Sequence, residues 1–179
     1  MEKKYIKVVK AITQHSFTFF CLVLIWTGHV FCQDSSDVDY SAVIEVGGSG
    51  ELDIKGKSSN FGADLAIECT PIEHWLELEF GVTALAASGQ TELETDLLFK
   101  KPYRISSTVE FMFGMGPDLM RKFGVEEPGT YLGLEAVLEF MFWPANNIGW
   151  YLEPSFGFVP GREEDQSLGV SAGLTIGLK

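Results

Sequence analysis

The chain has 179 residues, enough for one domain, and sets 13 Lys or Arg against 25 Asp or Glu for a formal net charge of −12. So acidic a chain is a poor partner for nucleic-acid phosphates. Two of its three cysteines, Cys21 and Cys32, lie in the N-terminal segment, so the remainder has only Cys69 and no internal disulfide to rely on.

The N-terminus reads as an export signal over 1–32. Lys3, Lys4, Lys7 and Lys10 form a basic start, an apolar stretch runs over 17–31, and Val30 and Cys32 occupy the −3 and −1 positions before a cut at Gln33. The product, 33–179, keeps nine Lys or Arg against 24 Asp or Glu. No later stretch reaches the roughly 18 apolar residues of a membrane helix.

From Tyr40 onward the dominant period is two, which predicts strands with two different faces. The first is expected over 40–47. In the second, Phe61, Ala63, Leu65, Ile67 and Cys69 alternate with Gly62, Asp64, Ala66, Glu68 and Thr70. The third sets Leu76, Leu78, Phe80 and Val82 against Glu77, Glu79, Gly81 and Thr83, and the fourth sets Leu93, Thr95, Leu97 and Phe99 against Glu92, Glu94, Asp96 and Leu98. The fifth has Val109, Phe111, Phe113 and Met115 on one face. The sixth has Leu132, Leu134, Ala136, Leu138, Phe140 and Phe142 opposite Glu135, Val137 and Glu139. The seventh spans 148–158 and contains Pro154, which predicts a bulge or break because proline cannot donate to the ladder. The eighth alternates from Leu168 to Leu178.

Between these strands the spacing predicts short turns at 71–74, 101–105 and 143–147 and longer loops at 48–58, 117–129 and 160–166, with 87–90 a short exception. Such asymmetry suits a transmembrane barrel, whose turns are short on one side and long on the other. The apolar column carries almost no charge in strands two to eight, as a surface in hydrocarbon requires. The other column mixes glycine with carboxylates, which lets long side chains fill a narrow interior. Trp75, Tyr103, Phe142, Trp143, Trp150 and Tyr151 gather near the short turns and are expected to form an interfacial girdle.

The export signal, the eight two-faced strands and the final amphipathic segment over 166–179 resemble the small bacterial outer-membrane β-barrel proteins of the OmpA, OmpX and OmpW type. The resemblance implies an all-β, eight-stranded antiparallel up-and-down barrel in the outer membrane, with outer-membrane lipids and the barrel-assembly machinery as partners. Such proteins usually end in Phe, whereas this chain ends Leu178, Lys179.

The inward column is expected to hold Glu68, Glu77, Glu79, Glu94, Asp96, Glu110, Glu135, Glu139 and Glu153 as an acidic cluster, opposed by few bases such as Lys100 and Arg104. No catalytic pair, cofactor motif or metal-ligand set stands out. His74 reads as a surface residue, Glu163, Glu164 and Asp165 as a solvated acidic loop, and Cys69 as a small outward hydrophobe. The functional expectation is a non-enzymatic outer-membrane protein with a structural or surface-interaction role carried by its longer loops. The alternative is a secreted, soluble lipocalin-like barrel with an apolar ligand at its centre. Less favoured are a narrow cation or small-solute channel and a lipid-modifying enzyme.

Overall fold

In a computed structural model, residues 40–55, 58–87, 89–124 and 129–179 are described, apart from the side chains of residues 87 and 162–165. The expected export signal at 1–32 and the acidic trio Glu163, Glu164 and Asp165 lie outside that description. Eight strands follow one another: β1 (Ala42–Asp53), β2 (Ser59–Ile72), β3 (Leu76–Ala87), β4 (Gln90–Arg104), β5 (Val109–Phe123), β6 (Gly129–Phe142), β7 (Ile148–Val159) and β8 (Arg162–Leu178). Each pairs antiparallel with its neighbour, and β1 pairs with β8 to close the barrel.

Register carries the two-faced pattern around the barrel, because a slip by one residue would turn every side chain to the wrong face. One outward row runs from Leu65 through Val82, Thr95 and Leu119 to Leu132. One inward row runs from Glu77 through Lys100, Gly114, Val137, Ser155 and Gly169 to Glu51. Phe80 is 49% exposed whereas its neighbour Glu79 is 4% exposed. Apolar side chains therefore face outward and carboxylates inward, the reverse of what a soluble barrel with an apolar centre needs.

The strands are longer and the connections shorter than the sequence suggests. The stretches expected as loops at 48–58, 117–129 and 160–166 are largely strand, leaving connections at 54–58, 124–128 and 160–161. At the other end the connections are 73–75, 105–108 and 143–147, so the expected difference in loop length between the two ends is absent. Glycines such as Gly48 and Gly50 and the proline at 117 lower local strand propensity, but both flanking strands supply ladder partners that outweigh it. The tight connection at 160–161 places Pro160 before Gly161, whose φ of 81° glycine adopts without steric cost.

Pro154 does not bulge or break β7. It keeps its partner Val170 in β8, and pairing with β6 resumes in the same register on either side, from Val137 with Ser155 to Phe140 with Leu152. Pro117 sits in a similar gap between β4 and β5, flanked by Asp96 with Asp118 and Phe99 with Met115. A missing N–H thus removes ladder bonds locally while the closed sheet holds the register.

Candidate interior site

The interior is built from inward positions of all eight strands, and its chemistry centres on Lys100 of β4. Its ammonium is fully buried and donates to Glu79 Oε2 of β3, to Glu139 Oε2 of β6 at 2.5 Å and to Glu153 Oε2 of β7 at 2.8 Å. A lysine has three N–H donors, and each finds a carboxylate here. A buried ammonium without such partners would carry a desolvation cost of several kcal/mol. Glu45 and Glu68 are buried as well, at 2% exposure each, and both oxygens of Glu68 lack a hydrogen-bond partner.

Tyr151 of β7 adds a second polar contact. Its hydroxyl donates to Asp64 Oδ2, and Ser49 Oγ donates to Asp64 Oδ1 at 2.9 Å and lies 2.6 Å from Ser171 Oγ. Toward the end bearing the 143–147 connection, Tyr151 packs with Met112 and Met141, and Trp143 and Val43 lean on this cluster. Trp143 also stacks on Tyr40 with ring centroids 4.8 Å apart. Toward the opposite end, Ser49, Glu51, Asp64, Glu94, Asp96, Asp118 and Glu135 are among the residues lining a cavity of about 50 Å³.

The expected acidic residues therefore divide. Glu79, Glu139 and Glu153 meet at Lys100, while Glu94, Asp96 and Glu135 join the cavity wall together with Glu79 and Glu153. Glu68 is buried, and Glu77 is half-buried beside Lys100 in register. Glu110 is half-buried opposite Arg104 near the far end of β4. Sequence reasoning passed over Glu45, Glu51 and Asp118: strand one was weakly patterned, and residues 51 and 118 fall in stretches expected as loops. For Asp118 the available signal was its parity with Glu110 in the fifth strand.

The aromatic residues divide too. Trp75 and Tyr103 are exposed, at 59% and 52%, and Trp150 stacks on Phe142 at 4.1 Å on the outer surface. Two differ from the girdle expectation. Tyr151 is 1% exposed and points inward, since it has the parity of Glu153 and not of Trp150. Trp143 lies against the internal Met112 and Met141 cluster, so it closes over the interior at the end of β6. His74 and Cys69 are exposed, His74 in a turn with a φ of 58°.

No family model matches the chain, and no curated protein matches its sequence. Among solved structures it is similar to Neisserial surface protein A, with a TM-score of 0.62 and 13% identity over 76% of this chain and 96% of that one. It is also similar to the outer membrane protein OprG from Pseudomonas aeruginosa, at TM-score 0.59 and 10% identity over 76% and 95%. A third is Ail, the attachment invasion locus protein of Yersinia pestis, at TM-score 0.53 and 15% identity over 76% and 97%. At these identities the likeness carries the fold and nothing finer. With eight antiparallel strands closed in sequence order and apolar side chains turned outward, the chain has the fold of the small outer-membrane β-barrels.

Proposed function

We propose that this is an integral protein of the bacterial outer membrane, exported by a cleaved signal over 1–32, with a filled acidic interior and a structural or surface-interaction role. The observation that carries the reading is the inversion of polarity: Phe80, Leu97 and Leu138 lie on the outer surface while Lys100, Glu79 and Glu139 are buried. Such an arrangement would be unstable in water but suits hydrocarbon, where a lipid-facing charge at mid-depth costs about 2–4 kcal/mol. Strands of 12 to 17 residues exceed the roughly 9 to 11 needed to cross, so the barrel wall extends beyond the bilayer. With short connections, a surface partner would meet that rim.

Lys100 and its three carboxylates across the centre, with Met112, Met141 and Tyr151 buried nearer one end, support an interior closed to diffusion. An open cation pathway is disfavoured by the same ammonium. The partners of this reading are outer-membrane lipids and the barrel-assembly machinery, and it includes no catalytic step. Fractionation of cells expressing the full chain tests it: the protein should stay with the outer membrane after urea washing and should migrate faster in detergent gels before boiling than after. Recovery in the soluble periplasmic fraction would overturn membrane residence. Large, stable conductance steps in planar bilayers would overturn closure.

A further inference from the structure

Charge is sorted by face as well as by sign. Among the strand residues whose side chains are described, the carboxylates all take inward positions. The two charged residues in outward positions, Lys101 of β4 and Arg121 of β5, are both cations. The whole chain has 25 acids against 13 bases, so an indifferent surface would hold mainly acids.

The two cations stand on neighbouring strands at opposite ends of the wall. Lys101 pairs with Phe113, and Arg121 follows Phe113 by eight residues in β5. At about 3.3 Å per residue and a tilt of about 40°, that separation is about 20 Å along the membrane normal, near the roughly 25 Å height of the apolar band in such barrels. Between them the outward positions include Leu93, Leu97, Phe99, Met115 and Leu119, all exposed and none charged. The cations also lean apart. Lys101 Nζ lies 5.7 Å from the centre of the Tyr103 ring and donates to the backbone oxygen of His74, and Arg121 Cζ lies 4.9 Å from the centre of the Phe123 ring. Tyr103 and Phe123 are each the next outward residue toward the nearer strand end, so both charged heads turn away from the apolar band.

We propose that Lys101 and Arg121 bind the headgroup phosphates of anionic lipids, one in each leaflet, and so select the lipid that lines the β4–β5 face. A guanidinium matches a phosphate through paired N–H donors, and an ammonium has three donors, of which the bond to His74 uses one. Long basic stems lie along apolar surface while their heads reach the headgroup level. A carboxylate at either level would meet phosphate with like charge, which accounts for the exclusion of acids from the outward positions. The proposal rests on the membrane reading given above and adds to it the lipid class and the residues that recognise it.

The test refolds the protein purified from membranes into vesicles of phosphatidylcholine alone, and of phosphatidylcholine and phosphatidylglycerol in equal parts. Urea unfolding is read by heat-modifiable migration. Anionic vesicles repel the acidic chain as a whole, so parent and variant are compared within each lipid. Arg121→Gln and Lys101→Gln should each lower the folding equilibrium constant about fivefold more in the anionic vesicles than in phosphatidylcholine. The double variant should show the product of the two effects, because sites this far apart do not couple. Arg121→Lys should retain most of the lipid dependence, and high salt should erase it. Equal losses in the two lipids would assign the side chains a merely structural role and overturn the proposal, as would a lipid dependence that survives high salt. Failure of the parent to fold into either vesicle would overturn membrane residence and this proposal with it. Folding of parent and variants alike in both lipids would overturn the proposal alone.

Discussion

The stem of Lys100 occupies the space in front of Gly114, its cross-strand partner: a Cβ on Gly114 would lie 2.6 Å from Lys100 Cγ and 3.0 Å from Val137 Cγ2. Glycine at 114 is therefore what lets a long basic side chain cross the interior and reach carboxylates on three other strands. Gly114→Val should displace that stem and destabilise the barrel by about 1–3 kcal/mol through overpacking. Urea unfolding in lipid vesicles, followed by tryptophan fluorescence, measures the loss.

Lys100→Met removes the ammonium and leaves Glu79, Glu139 and Glu153 facing one another in a buried space. Breaking a buried ion pair from one side costs about 3–5 kcal/mol. The double variant Lys100→Met with Glu139→Gln should recover part of that loss, since it deletes one uncompensated charge. A double-mutant cycle in the same unfolding assay would show a coupling between the sites, and strict additivity would contradict the ion-pair account.

Leu97→Arg and Leu138→Arg place a charge on the outer surface, where these side chains are 40% and 42% exposed. Each should reduce folding into membranes by about 2–4 kcal/mol if its position is near mid-depth. Thr130→Arg, near the start of β6 and also outward, should be tolerated. The fraction of heat-modifiable protein in isolated membranes compares the three.

Tyr151→Phe deletes the hydroxyl that donates to Asp64 while keeping the ring against Met112 and Met141. A hydrogen bond to a charged acceptor is worth about 1.5–3 kcal/mol. The retained bond from Ser49 to Asp64 should hold the change to the lower part of that range. Equilibrium unfolding of Tyr151→Phe beside Trp150→Phe separates the inward hydroxyl from its outward neighbour, and the latter should matter less.

Pro154→Ala restores an N–H at a position with no ladder partner in β6. Its effect on stability should stay within about 0.5 kcal/mol, the usual range for substitutions away from buried networks. A larger gain would mean that the gap beside Glu153 closes when a donor is supplied.

Alternation was enough to determine which residues share a face in most strands, because a strand's side chains point to opposite sides with period two whatever surrounds it. Leu76, Leu78 and Phe80 against Glu77 and Glu79 illustrate this, and the absence of charge from the first set gave the outward face. The same rule placed Glu135, Glu139 and Glu153 inward, and applied strictly to 150–153 it would have turned Tyr151 inward as well.

Strand ends and partners were decided only in the closed structure. Residues 48–53 and 117–123 have glycines or a proline that weaken them as isolated strands, and only hydrogen bonds from neighbours on both sides make them part of the wall. Glu79, Glu139 and Glu153 stand 21, 39 and 53 positions from Lys100 in the chain, and Asp118 meets Asp96 through one register of β4 on β5. Local pattern specifies the direction of a side chain. Which distant charge it meets depends on register and closure, and these are properties of the whole sheet.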